Sequence, residues 1–142
     1  MRKIEKVLLS GKTHTRVSGP GDRVDLRLSS PGDANPAHVF SAIQAHPTAE
    51  QLFAGAWSAC YISAIGLVAK QEKVALPADL SVDIQVDLGQ TGKAYFIQAR
   101  FDVRVPGLAQ EVAEALAHAA HDICPYSKAV HGNIDVALNV LT

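Results

Sequence analysis

No charged side chain occurs between Gln51 and Ala69, and a cysteine, Cys60, stands in the middle of that run. A bilayer crossing takes about 20 apolar residues, so LFAGAWSACYISAIGLVA, Leu52 to Ala69, has nearly the length of a membrane span. Gly55, Ser58, Ser63, Gly66 and several alanines keep its hydrophobicity modest, and neither flank carries the one-sided Lys/Arg excess that orients a span. The stretch therefore reads as a buried central helix from about Ala49 to Glu72, apolar nearly all round, with no membrane as partner. Such a helix needs cover on every side. A chain of 142 residues makes one domain, 1–142, with one core. A sheet can shield one side of the helix and a second subunit the other, so a homodimer with an extensive interface is expected.

The strands are legible from their two-residue rhythm. DLSVDIQVDL points Leu80, Val82, Ile84, Val86 and Leu88 one way, and Ser81, Asp83, Gln85 and Asp87 towards water. GQTG reads as a turn. AYFIQARFDVRV then continues the alternation through Tyr95, Ile97, Ala99, Phe101, Val103 and Val105, so the pair forms a long antiparallel hairpin. Ile134, Val136, Leu138 and Val140 mark a last strand. Val24, Leu26 and Leu28 mark an early one, paired with a strand in the first eighteen residues. After VPG, a second helix carries Leu108, Val112, Ala115, Leu116, Ala119 and Ile123 at helical spacing, and it stops before Pro125. The order of strands, helix, hairpin, helix and strand defines an α+β domain. The Pro-, Gly- and His-containing segment from Ser29 to Pro47 is long for a compact domain, and such loops often carry function.

A net charge of −1, with thirteen Lys and Arg spread along the chain, gives no electrostatic case for nucleic acid. MRKIEKVLLSGKTHTR lacks the apolar core and cleavage site of a secretory signal, so a cytoplasmic, reducing compartment is expected. There a cysteine pair is more often redox-active or metal-binding than a structural staple. The chain has only two cysteines, Cys60 and Cys124.

Each cysteine sits in a suggestive context, although free cysteine is also one of the most buried residue types. Cys124 opens CPYSKA, where Pro125 suits the first position of a short helix, and a helix N-terminus favours a thiolate. Glu50 opens the apolar helix, where a negative charge suits the dipole. Arg16 and Arg23 flank VSGPGD, a turn between the early strands, and either could pair with Glu50. Such a pair would hold positive charge beside a thiol and favour the thiolate that burial suppresses. HAAHDIC places His118 and His121 one turn apart before Cys124, but a fourth zinc ligand is missing, and both histidines read as residues of the second helix's wet face. SGPGD and GQTG lack the strand–glycine–helix context of a phosphate loop. No cofactor and no metal are expected.

AEQLFAGAWSACYISAIG resembles the helix motif of the organic hydroperoxide resistance proteins, the Ohr branch of the OsmC family. CPYSKAVHGNIDVALNV resembles that branch's second-cysteine motif. The resemblance implies the OsmC-like fold, with antiparallel sheets wrapped around buried central helices in an intertwined homodimer and sites at the subunit interface. It implies a peroxidase of the cytoplasm acting on organic hydroperoxides, including those of fatty acids, with a dithiol such as a lipoyl group as reductant. By position, Cys60 matches the peroxidatic cysteine, Cys124 the resolving one, and Glu50 the glutamate that pairs with a catalytic arginine. Arg16 is the better match to that arginine and Arg23 the second, because the family's Gly-Gly-Arg context is absent. The family's Gly-rich loop is also absent: Asn35 and Pro36 come early, and AHVFSAIQAH stands before Glu50. Two other readings compete. One is an OsmC-type peroxidase with a different peroxide preference. The other is a non-catalytic thiol redox sensor or hydrophobic-ligand binder, which would have no need of a thiol pair.

Overall fold

The computed structural model describes residues 4–17, 24–30 and 48–142. Most of the Ser29–Pro47 loop, and Arg23, lie outside the described residues. The early strand pair is present. β1 (Lys6–Val17) and β2 (Val24–Ser29) run antiparallel with Val17 opposite Val24. The hairpin is β3 (Ser81–Thr91) and β4 (Ala94–Arg104), joined by Gly92 and Lys93. Gly92 has φ +60°, the conformation that a tight hairpin turn asks of its first central residue. The turn thus falls later than GQTG suggests. Gly89 lies within β3, where Ile4 fills the space that a side chain would occupy.

Among the described residues the sheet has five strands, in the order β2-β1-β3-β4-β5. β5 (Val136–Leu141) runs parallel to β4, a departure from the wholly antiparallel sheets expected. A parallel neighbour requires a crossover, and α2 (Gln110–Ile123) with α3 (Pro125–Val130) supplies it.

The long helix, α1 (Ala49–Gln71), begins at a capping box. Gln51 N–H donates to Thr48 Oγ1 at 3.2 Å, and Thr48 N–H donates to Gln51 Oε1 at 2.9 Å, so two orphan donors are satisfied. The helix lies along one face of the sheet. Trp57, Tyr61 and Ile65 are fully buried there with Ile84, Val86 and Phe101. Thr13 and Ser58 share a hydrogen bond across that interface. Gly11 lets the start of α1 approach, since a Cβ at that position would collide with the backbone of Glu50 and Gln51. By length and composition α1 could cross a membrane, but its capped start and its packing on the sheet are those of a core helix. One stripe remains bare: Leu52 is 58% exposed and Leu67 51%. This is the side on which the sequence reading asked for cover from outside the chain.

α2 meets α1 through Ala113, Leu116, Ala117 and Ala120, whereas Val112, expected inward, is 41% exposed. The alanines allow a close approach, so that Tyr61 OH reaches Ala117 O at 2.8 Å. On the sheet's outer face two carboxylates are boxed in by neighbours. Asp83 receives Arg104, Lys12 and His14, and Asp87 receives Ser10, Gln85 and Gln98.

Candidate active site

The two cysteines, 64 positions apart in the chain, come together with Sγ atoms 3.1 Å apart, and both are free thiols. Pro125 explains much of this. It disfavours a helical Cys124, which takes φ −64° and ψ 120°, so α2 ends and α3 begins with proline at its first turn. The corner turns the Cys124 side chain towards α1, where it is fully buried. Cys60 is partly exposed.

Burial pushes the Cys60 thiol up, and its hydrogen bond with Cys124 adds to that. The backbone N–H of Tyr126, in the first turn of α3, donates to it and works the other way. The helix N-terminus that sequence reasoning attached to Cys124 therefore serves Cys60. No cation among the described residues contributes to the shift.

Behind the thiols is an aromatic cluster. Phe101 makes edge contacts with Trp57, Tyr61 and His121 at centroid distances of 4.7, 5.0 and 4.7 Å. Trp57 Nε1–H donates to Ser127 Oγ at 2.9 Å, and the same oxygen lies 2.9 Å from His121 Nδ1. Indole nitrogen only donates, so Ser127 Oγ accepts from Trp57; its hydrogen and its second lone pair can each meet Nδ1, so the bond suits a His121 proton on Nδ1 or on Nε2. That Nε2 is buried without a partner among the described residues.

His121 is thus a half-buried member of the core, which corrects the expectation of two wet histidines; only His118 is exposed. Burial lowers its pKa to about 4, with the charge of His118 adding and that of Asp122 opposing. Its folded value is depressed, so its contribution to stability is complete above its unfolded value of about 6.5 and is lost as pH falls towards 4. Melting temperatures between those limits should fall more steeply for wild type than for His121→Phe. Equal slopes would mean that the imidazole is not held neutral by the fold.

His118, His121 and Cys124 form no metal site. Among the described residues no three His, Cys, Asp or Glu side chains are grouped to hold an ion.

Glu50 and the arginines are placed less simply. Glu50 is buried at the start of α1, ten residues before Cys60, and so about 15 Å from it along the axis. Within one chain the two do not meet. Arg16 is exposed on β1. It shares the strand face of Lys12 and His14, which bond Asp83, whereas α1 packs against the face of Thr13 and Thr15. The expected Arg16–Glu50 pair is therefore not formed within one chain. A cleft of about 750 Å³ opens between Trp57, His121, Ser127 and the β5 side chains Val136 and Leu138, but neither cysteine lines it.

Comparison with known proteins places this geometry. The profile of the OsmC-like protein family matches residues 41–139. An organic hydroperoxide resistance protein of Xanthomonas axonopodis pv. citri is 35% identical over 142 residues, 96% of each chain. The chain belongs to the OsmC/Ohr family. Crystal structures agree. An organic hydroperoxide resistance protein from Legionella pneumophila superposes with a TM-score of 0.67 at 34% identity, covering 92% of this chain and 96% of that one. OhrB of Bacillus subtilis gives 0.66 at 30% identity over the same shares. Within this OsmC/Ohr chain, sequence reasoning missed the bonds that Trp57, His121 and Ser127 make. Their signal was present in CPYS and HAAH, but sequence alone could not show that α3 folds back onto Trp57.

Proposed function

We propose that this protein is a thiol peroxidase that reduces organic hydroperoxides, those of fatty acids included, to alcohols. The observation that carries the reading is the pair of free thiols 3.1 Å apart, Cys60 partly exposed on the apolar α1 and Cys124 buried at the corner between α2 and α3. The names of the Xanthomonas and Bacillus relatives support it. The Cys60 thiolate attacks the outer peroxide oxygen and the O–O bond breaks. The alkoxide leaves and takes a proton to become the alcohol, and Cys60 becomes a sulfenic acid. The Cys124 thiol then condenses with it, releasing water and forming the Cys60–Cys124 disulfide. A dithiol such as a lipoyl group reopens that bond by exchange. The thiols must be kept reduced between turnovers, which fits a cytoplasmic protein.

The active form is a homodimer. The bare stripe of α1 supplies the surface, and the 15 Å between Glu50 and Cys60, about that length by helix rise, supplies the need. Glu50 of one copy serves Cys60 of the other. The cation that favours the thiolate is Arg16, with Arg23 the second choice; Arg16 stands exposed on the sheet face away from the α1 of its own chain, so it serves the other copy, as Glu50 does.

The test is consumption of cumene hydroperoxide with dihydrolipoamide present, on protein whose mass by light scattering should be about twice the 15.1 kDa of the chain. Mass spectrometry after one equivalent of peroxide should show the disulfide within one chain. Arg16→Ala should slow the reaction tenfold or more, the effect of about one pKa unit on the thiol, and Arg23→Ala should stay near wild type. Unchanged peroxide would leave a sensor or a hydrophobic-ligand binder. A dead Arg23→Ala beside an active Arg16→Ala would give the role to Arg23.

A further inference from the structure

We propose that Ser127 is the positioning residue of the resolving step: its hydroxyl, held between Trp57 Nε1 and His121 Nδ1, pins the corner between α2 and α3 so that Cys124 stays within bonding reach of Cys60. The proposal rests on the peroxidase reading above.

α3 has six residues, too few to stand as a helix without support. Ser127 is its buried residue, while Tyr126 beside it is 47% exposed. The short helix is therefore fastened to the core by a hydroxyl instead of an apolar side chain. Both partners of that hydroxyl lie on the elements that must stay in register: Trp57 is three residues before Cys60 on α1, and His121 is three residues before Cys124 on α2. One oxygen thus ties together the elements that carry the two thiols and the turn that supplies the Tyr126 N–H. These bonds are formed away from water, where they are strong and where an unpaired indole donor is costly.

Cys124 packs its side chain in the core but has few polar tethers. Apart from Cys60, its hydrogen bonds run through its backbone, to Ala120 O at 2.9 Å and from Lys128 N–H at 3.0 Å. To form the disulfide, the sulfurs must close from 3.1 Å to about 2.04 Å. Reactions between groups held this close are sensitive to displacements of about 1 Å, which cost up to a hundredfold. Loosening the corner should thus slow disulfide closure far more than the peroxide step, which needs only the Cys60 sulfur of the two and loses at most the Tyr126 N–H.

The experiment separates the two steps in Ser127→Ala. Sulfenic acid formation, trapped by dimedone, should proceed within about twofold of wild type, while closure to the disulfide should slow tenfold or more. Excess peroxide should then drive Cys60 to sulfinic acid. Ser127→Thr should recover closure. Trp57→Phe, which keeps a ring but removes the donor, should reproduce the defect and add little to Ser127→Ala in the double variant. Closure is measured a second way with diamide, a two-electron thiol oxidant that is itself reduced to the hydrazine as the disulfide forms. A wild type inert to peroxide, with diamide closure slow in Ser127→Ala and Trp57→Phe, would sink the peroxidase reading and keep the clamp. Closure at the wild-type rate in both variants, or equal slowing of both steps, would overturn the clamp.

Discussion

Cys60→Ser should consume no peroxide above the rate of buffer alone, and Cys124→Ser should consume one equivalent at close to the wild-type rate and then stall. The asymmetry follows from access and bonding. Cys124 is fully buried, so a bulky hydroperoxide cannot line up with its sulfur, whereas Cys60 is partly exposed and accepts the Tyr126 N–H. Serine at position 60 keeps the size and much of the packing, but a hydroxyl is a far poorer nucleophile than a thiolate. Serine at position 124 keeps a small hydrogen-bonding group beside Cys60, so the first attack, made by the Cys60 sulfur, loses little. What it does lose is the sulfur that condenses with the sulfenic acid. A stopped-flow trace of peroxide loss, with dimedone adducts weighed by mass spectrometry, reads both steps. Activity in Cys60→Ser with none in Cys124→Ser would reverse the order and give the first attack to Cys124, as its place at the start of α3 suggested before the fold was known.

How far the sequence reaches is visible in particular residues. The alternation through Ile84, Val86, Phe101 and Val103 announced buried strand faces, and all four are buried. The uncharged run announced α1 to within a residue at its end, because nothing in it breaks a helix and Thr48 and Gln51 cap its start. The pairing of the cysteines was suggested only by a motif. Its physical cause, Pro125 turning the corner, can be read locally, but where the corner lands depends on packing between segments 64 positions apart. The inward face of α2 was misjudged for a related reason. Periodicity ranks Val112 above Ala113, but the space between α1 and α2 admits alanine and turns valine out. The direction of Arg16 is a matter of parity: in a strand each step of one residue reverses the side chain, so Arg16 shares the face of Lys12 and His14, away from the α1 of its own chain. Glu50 shows a different limit, since ten helical residues separate it from Cys60 and the two do not meet within one chain.

Phe101→Ala should cost about 3–5 kcal/mol, a large part of the roughly 5–15 kcal/mol that holds a domain of this kind together. Phe101 is fully buried on β4, and its ring is the common neighbour of Trp57, Tyr61 and His121. Truncation removes its own burial and three edge contacts, each worth about 0.5–1.5 kcal/mol beyond area. The surrounding rings cannot all collapse into the space. Trp57 is tied to Ser127 and Tyr61 to Ala117 O, so relaxation would cost hydrogen bonds as well as contacts. Tyr95→Ala is the control. Tyr95 lies on the same strand and has a comparable ring, but it is 58% exposed, and its loss should stay within about 0.5 kcal/mol. Urea denaturation reads both, as a shift in midpoint at unchanged slope. The damage should also reach the chemistry: below its melting point Phe101→Ala should close the Cys60–Cys124 disulfide more slowly, because Trp57 and His121, the partners of Ser127, rest on the missing ring. A loss of under 1 kcal/mol with normal closure would show that the cluster supports neither the core nor the site.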